Sequence, residues 1–363
     1  MAKQNSEMHY NKLKILFLTT DFSGGGAEGV WVQLANHLSL KYEVHFMVLK
    51  AFGPNLEKLN TNIKLIELKK NSSIKSIFKI NKYIKKNDID VVLGTLAMAY
   101  AVSIANLFGR KNCKYIARVG SIISSNLSNF NLIKKFIMYF YQKTLNFSDI
   151  LITQSISMDE DLKNYVNKKS NIIYNPISKN KILRLSEEDT HIKFDSKFYN
   201  IISVGRLAYE KDYKSAILSI SKLKKKIKNI RYYILGDGEL KEELCSYSKS
   251  LDLSRDIIFV GHLKNPYPVM KNANVLLLTS LYEGFSNVIL ESLALNIPVV
   301  ATDSPGGNKE IISNGINGFL AKVGNIDDIV EKLLQAKKQQ KYNIDVSKFN
   351  IDLISEQYEK HFK

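Results

Sequence analysis

The chain has 363 residues, 45% of them hydrophobic, and 52 Lys and Arg against 35 Asp and Glu give it a net charge of +17. This length exceeds one ordinary domain and suits two of about 150 to 200 residues, while the composition excludes a disordered chain or a fibre. The two cysteines, Cys113 and Cys245, lie far apart and form no CxxC, which argues against a disulfide framework or a cysteine metal site and fits a reducing cytoplasm.

The opening residues, MAKQNSEMHYNK, carry no apolar core and no cleavage site, so they do not read as a signal peptide. A first strand is predicted over Lys14–Thr20, followed by Gly24, Gly25 and Gly26 and a helix over Ala27–Leu40. Further strands are predicted at Glu43–Lys50, Ile63–Leu68, Val91–Leu96, Lys114–Val119, Ile150–Gln154 and Asn171–Tyr174. Helical patterns fall between most of them, at Ile74–Asn87, Met98–Phe108, Asn131–Asn146 and Ser157–Val166. The stretch Val91–Gly109 is uncharged for about the length of a membrane span. It contains Gly94, Thr95, Tyr100, Ser103 and Asn106, and it divides into a strand and a helix, so it reads as a buried strand-helix unit.

At Asn175-Pro176 the pattern breaks, and the polar run from Tyr174 to Phe198 reads as a linker. The alternation restarts with strands at Asn200–Val204, Tyr232–Leu235, Ile257–Val260, Val275–Thr279 and Pro298–Thr302. Helices are predicted at Asp212–Lys226, Leu240–Ser250, Ser286–Leu295, Asn308–Ser313 and Ile326–Lys338, and IDLISEQYEKHF forms a last one. Strands alternating with helices imply parallel sheets covered on both faces. The expected class is α/β, with two doubly wound domains facing across a cleft, where such sheets bind ligands at their carboxyl ends. The expected division is 1–177, 178–345 and a C-terminal helix over 346–363 that packs back on the first domain.

Five turns at strand ends are candidates for chemistry. Gly24-Gly25-Gly26 suits a flexible turn or a phosphate cradle at a helix N-terminus, and it lacks the GxGxxG spacing of a dinucleotide site. Arg206 and Lys211 follow a strand and suit either a diphosphate clamp or an ordinary surface pair. Gly236-Asp237-Gly238 reads as a tight turn with a helix start, and His262 is a lone turn histidine that either touches a ligand base or is structural. The fifth turn holds Glu283-Gly284-Phe285-Ser286-Asn287 and leads into a helix carrying Glu291. Ser286 or Asn287 would cap that helix, and the N–H groups of residues 285 to 288 would form an anion site. Carboxylates beside such a site suit hydroxyls or a developing cation, which sugars and ribose supply.

These residues resemble a family. Gly25-Gly26-Ala27-Glu28, Gly205-Arg206-Leu207 with Glu210-Lys211-Asp212, Gly236-Asp237-Gly238, Glu283-(x7)-Glu291 and Ser304-Pro305-Gly306-Gly307 with Glu310 occur in the order seen in GT-B retaining glycosyltransferases of the family 4 type. The resemblance implies a nucleotide-sugar donor, with UDP as the nucleotide, and no metal or other cofactor. It implies that Arg206 and Lys211 neutralise the diphosphate, and that Gly25 and Gly26 let the N-terminal domain approach it. Phe285, Ser286, Asn287 and Val288 would hold phosphate and sugar through backbone N–H groups. Glu283 would bind donor-sugar hydroxyls near the reacting centre, and Glu291 the ribose hydroxyls. Many relatives carry a His after the fifth strand. This chain has Arg118-Val119-Gly120-Ser121 there, so no catalytic His carries over, and Arg118 becomes a candidate contact to donor or acceptor.

In NLIKKFIMYFYQKTLNF, Leu132, Ile133, Phe136, Ile137 and Phe140 recur at helical spacing, with Lys134, Lys135 and Lys143 nearby. Such a helix lies in a membrane interface beside an anionic leaflet, or in a core with a solvated basic edge. The charge, and the resemblance to enzymes that build bacterial surface polysaccharide, favour the first. The expected location is the cytoplasm, peripheral on the inner face of the cytoplasmic membrane, with a lipid-linked saccharide as acceptor. Nucleic acid is set aside as a partner, because the aromatics do not interleave with basic residues on any evident sheet surface. Two alternatives stay open: a nucleotide-sugar epimerase of the same fold, and a non-catalytic nucleotide-sugar-binding subunit.

Overall fold

The computed structural model describes residues 12–23, 25–127, 131–339 and 341–363, so Gly24 and the opening residues 1–11 lie outside the described residues. Strands β1 (Lys14–Thr19), β2 (Glu43–Val48), β3 (Lys64–Glu67), β4 (Val91–Thr95), β5 (Lys114–Arg118), β6 (Ile150–Thr153) and β7 (Asn171–Ile172) form one parallel sheet in the order β3-β2-β1-β4-β5-β6-β7. Strands β8 (Tyr199–Val204), β9 (Ile230–Leu235), β10 (Ile257–Gly261), β11 (Val275–Leu278), β12 (Val299–Thr302) and β13 (Gly318–Ala321) form a second in the order β10-β9-β8-β11-β12-β13.

Helices α1 (Gly26–Leu38), α2 (Ile77–Asn87), α3 (Ala97–Asn106), α4 (Ile123–Leu127), α5 (Leu132–Lys143) and α6 (Ile156–Leu162) accompany the first sheet. Then come α7 (Lys179–Ser186), α8 (Tyr213–Lys224), α9 (Lys241–Ser250), α10 (Tyr267–Met270), α11 (Asn287–Ala294), α12 (Asn308–Ile311), α13 (Ile326–Lys338) and α14 (Ile351–Glu359).

The central strands are buried on both faces, which is why they read as unbroken apolar runs: KILFLT in β1, VVLGT in β4 and VLLL in β11. Val91–Gly109 is indeed divided, into β4 and α3, and among the described residues no helix is long and apolar enough to cross a membrane. Helix α14 returns to the first sheet. Its Ile351, Ile354 and Tyr358 join a core with Phe17, Trp31 and Phe46, and Tyr358 meets Trp31 edge-on at 6.3 Å.

Two readings need correction. The polar run after Pro176 is not an unstructured linker, because α7 forms there and packs on α10 and α11 through a single apolar stripe around Ile182. The strand β13 escaped prediction because GFLA is short and opens on Gly318. That glycine is required, since a Cβ there would lie 2.3 Å from the Val299 carbonyl.

Candidate functional site

The turn after β11 is held from several sides. Leu281 N–H donates to the Glu210 carbonyl at 2.8 Å, and Thr279 Oγ1 donates to the carbonyls of Lys211 and Asp212. Glu283 N–H reaches the Pro305 carbonyl at 3.0 Å, and Gly307 N–H reaches that of Gly284 at 2.9 Å. Gly306 has φ +133°, and a Cβ there would lie 2.1 Å from the Glu283 carbonyl, so the Pro-Gly-Gly loop backs this turn as only glycine allows.

Within this frame Lys211 Nζ meets Glu283 Oε1 at 2.6 Å, and Ser280 Oγ donates to the same oxygen at 2.6 Å. Their side chains are only 20% and 11% exposed, so the two turns shelter the residues that carry the charge. They form a sheltered ion pair with one carboxylate oxygen left for a ligand. Arg206 differs. It is 67% exposed and pairs with Glu210 at 2.6 Å, one helical turn on. Burial draws the Glu210 carboxyl upward, but the Arg206 hydrogen bond, its own backbone N–H and the charges of Arg206 and Lys211 together outweigh it and hold it below the usual carboxylate range. Both predicted clamp cations are therefore partnered by carboxylates, and a diphosphate would take Arg206 from Glu210 and share the three-donor Lys211 ammonium with Glu283. Gly236-Asp237-Gly238 supports this turn: Leu207 N–H donates to the Asp237 carbonyl at 2.9 Å, and a Cβ on Gly236 would lie 1.9 Å from the Gly205 carbonyl.

Ser286 occupies the N-cap of α11, yet its side chain makes no cap hydrogen bond. Asn287 does not cap either, since its amide turns across the cleft to Asn175 and to the Gly26 carbonyl. The expected side-chain cap is thus absent, and the first N–H groups of α11 remain available to an anion. The Phe285 ring is buried, stacked on Tyr174 at 5.4 Å, so this residue offers the site only its backbone. Val288 packs against the same core.

Glu291 sits further along α11 and accepts a hydrogen bond from the Tyr267 hydroxyl at 3.2 Å. Burial pushes its carboxyl up to about 7, while the Tyr267 bond and the nearby Lys58 of the first domain pull the other way. With the folded pKa above the unfolded one, this site's contribution to stability is full below the ordinary carboxylate range and is lost as pH rises through about 7. Ligand-free Glu291→Gln should therefore melt with the wild type at about pH 4 and a few degrees above it at about pH 8. Parallel melting curves across that range would contradict the assignment.

From the first domain, Gly120 faces the turn, and a Cβ on Gly284 would lie 2.8 Å from its carbonyl. Gly25 and Gly26 open α1 at the cleft, but Glu28 changes what they offer. Its carboxyl, raised by burial and hydrogen-bonded to its own backbone N–H, lies against Gly25. That N-terminus is already met by an acid, and the glycines chiefly permit close approach. A Cβ on Gly26 would lie 2.9 Å from the Asn287 amide nitrogen. His262 is exposed at the end of β10, and the neighbouring Lys264 pairs across the cleft with Glu57. Arg118 does not open to the cleft: it is 1% exposed, bound to Thr95 Oγ1 at 3.0 Å and Asn175 Oδ1 at 2.5 Å.

Sequence reasoning missed Ser280, which bonds Glu283 three residues on, and Tyr267, Lys58 and Asn175, which reach the site through contacts distant in sequence. It also missed Leu96, which leaves β4 at φ +54° and ψ −137°, a strained backbone at the cleft. No sequence pattern marks a leucine in that conformation.

Comparison with known proteins adds an independent line. Residues 186–351 match the family model described as glycosyl transferases group 1, and residues 24–181 match that of glycosyltransferase family 4. The chain is 33% identical over 325 residues to a Campylobacter jejuni N-acetylgalactosamine-N,N'-diacetylbacillosaminyl-diphospho-undecaprenol 4-alpha-N-acetylgalactosaminyltransferase, covering 85% of this chain and 86% of the relative. It is 33% identical over 167 residues to the lipopolysaccharide 1,6-galactosyltransferase of Salmonella typhimurium, covering 45% and 44% of the two chains. Among solved structures, Anabaena HepE in complex with UDP superposes with a TM-score of 0.77 at 17% identity, over 96% of this chain and 99% of that one. That likeness shows the fold: two facing Rossmann-like domains, GT-B.

Proposed function

The chain belongs to the group 1, family 4 glycosyltransferases, and from that premise we propose that it moves a hexose or N-acetylhexosamine from a UDP-sugar to a lipid-linked or growing saccharide in the synthesis of bacterial surface polysaccharide. The observation that carries the reading is the Lys211–Glu283–Ser280 cluster beside the uncapped start of α11, with Glu291 further along the same helix. The diphosphate lies on the α11 N–H groups between the two carboxylates, which grip opposite ends of the donor, and the second domain holds the donor while the first receives the acceptor. Support for UDP comes from the UDP-bound HepE, and for a diphospho-undecaprenol acceptor from the name of the Campylobacter enzyme.

Charge grows on the diphosphate oxygen as the bond to the sugar breaks. Lys211 and the α11 dipole favour that state over the ground state, and Arg206 joins them by leaving Glu210. Glu283 already binds Lys211 and Ser280, which makes it a poor nucleophile or base. Its free oxygen steadies the sugar hydroxyls and the cationic ring. The incoming hydroxyl then attacks from the face that UDP leaves and gives its proton to the departing diphosphate oxygen, so configuration is retained. The chain's own cations stand where a metal would otherwise offset charge, and EDTA should leave turnover unchanged. Proton NMR of the product tests retention: an α-linked donor should give an α-linkage, and a β-linkage would overturn it.

We assign the membrane contact to α5. The alternative of a core helix fails, since Leu132, Ile133, Phe136, Ile137 and Phe140 are 55% to 83% exposed and only Gln142 of this helix is buried. Alongside, α3 packs on both α2 and the turn that ends α5, Leu107 and Phe108 just after α3 are exposed, and α2 exposes Phe78. Lysines flank these side chains, as an anionic bilayer surface favours, and this supports the inner face of the cytoplasmic membrane. Phosphatidylglycerol vesicles should sediment the protein at low salt and phosphatidylcholine vesicles should not. Serine at both Phe136 and Phe140 should weaken binding at least about tenfold. A chain that ignores anionic vesicles and forms a dimer sensitive to the same substitutions would assign the face to a second copy instead.

A further inference from the structure

A line of hydrogen bonds crosses the cleft twice. Arg118 Nη2 donates to Asn175 Oδ1 at 2.5 Å, Asn175 Nδ2 to Asn287 Oδ1 at 2.8 Å, and Asn287 Nδ2 to the Gly26 carbonyl at 3.0 Å. It joins the end of β5, the crossover between the sheets, the start of α11 and the start of α1. The direction of every bond is dictated from one end. A guanidinium only donates, so Asn175 must turn its oxygen to Arg118 and its nitrogen to Asn287. Asn287 must then offer its oxygen to Asn175 and its nitrogen to Gly26. The anchor is rigid: Arg118 and Asn175 are 1% and 4% exposed, Thr95 Oγ1 holds a second guanidinium nitrogen, and the Trp31 ring and the Tyr358 hydroxyl lie against it.

We propose that Arg118 and Asn175 are positioning residues for the donor diphosphate, acting through Asn287 to lock the starts of α1 and α11 at the spacing the diphosphate needs. This rests on the donor reading above. It gives Arg118 a role without ligand contact, and it gives Gly26 a reason to be glycine, since any Cβ would press on the Asn287 amide. It also explains why Asn287 leaves α11 uncapped: its side chain is committed across the cleft.

Asn175→Asp separates this role from folding. Aspartate still accepts from Arg118, as a charged pair, but it has no donor for Asn287. If Asn287 flips to compensate, its oxygen faces the Gly26 carbonyl, so the line breaks at one place or the other. Gly26→Ala breaks it from the far end at an exposed position, which keeps the test available if the first variant fails to fold. UDP, GDP and ADP are titrated into the wild type, and the best ligand into both variants, with uridine (or the matching nucleoside) followed by ligand-observed NMR.

The expected result is a loss of at least about tenfold in nucleoside diphosphate affinity, with nucleoside affinity unchanged and the ligand-free melting temperature within a few degrees of wild type. Diphosphate affinity within about threefold of wild type in a folded variant overturns the latch and leaves the donor reading standing. An equal loss for nucleoside and diphosphate overturns it too, as that marks a general collapse of the cleft. A wild type that binds none of the three diphosphates removes the donor reading and the latch with it.

Discussion

Glu283→Ala is expected to lower the rate of sugar transfer by about a thousandfold or more, with a folded protein and a much smaller change in UDP affinity. The carboxylate faces the reacting sugar in the proposed complex, so its loss is felt most where positive charge builds on the ring. The nucleotide is gripped elsewhere, by the α11 N–H groups and Glu291. The cost to the fold is modest because Lys211 keeps some exposure and its flexible stem lets the ammonium reach water: about 1 to 3 kcal/mol for a broken, partly buried pair. Initial rates, a UDP titration and a melting curve on the same preparation check all three statements. A variant that turns over at the wild-type rate would move the reacting centre away from this turn.

Lys211→Met is the second large effect. It keeps the stem and removes the charge, so it leaves the Glu283 carboxylate with Ser280 alone in a sheltered site. Expected losses are about 10- to 100-fold in UDP affinity and about 100-fold or more in turnover. Turnover suffers more because the diphosphate gains charge as the bond breaks, so the ammonium is worth most at that moment. The cost to stability should exceed that of Glu283→Ala, since a stranded buried carboxylate is harder to hydrate than a stranded lysine. Equal losses in affinity and turnover would mean that Lys211 binds the donor without favouring the transition state.

Much of this was readable from the chain because parallel strands covered on both faces demand continuous apolar runs, and because turns at their carboxyl ends need glycines and caps in recognisable places. The strand ends at Thr19, Arg118 and Leu278 fall within a residue of their predicted positions. Glu283, Lys211 and Glu291 were singled out because they follow strands in the order of the blocks that resemble the glycosyltransferase family. What stayed hidden depends on distance along the chain. The Lys211–Glu283 pair spans 72 residues, and the bonds Asn175–Asn287 and Asn287–Gly26 span 112 and 261. No local pattern announces them, and Asn175 read only as the residue before a proline. Arg118 was weighed as a ligand contact because it falls in the region where many members of the resembled family carry a His. Only the packing of Trp31, Thr95 and Tyr358 around it shows where the guanidinium lies. Burial likewise cannot be read from a turn motif, which is why the shelter of the Lys211–Glu283 pair shows only in the structure.

The central claim is that this cleft breaks a nucleotide-sugar bond and passes the sugar to an acceptor. The direct measurement is nucleotide release from UDP-, GDP- and ADP-sugars by purified protein, with membrane extract as acceptor source and Glu283→Ala as control. The account predicts UDP release from one donor, dependent on the extract and lost in the variant. Conversion of the donor into another sugar nucleotide without release would instead identify an epimerase. Tight UDP binding with no release from any donor in the presence of extract would identify a binding subunit, and either outcome would contradict the function proposed here.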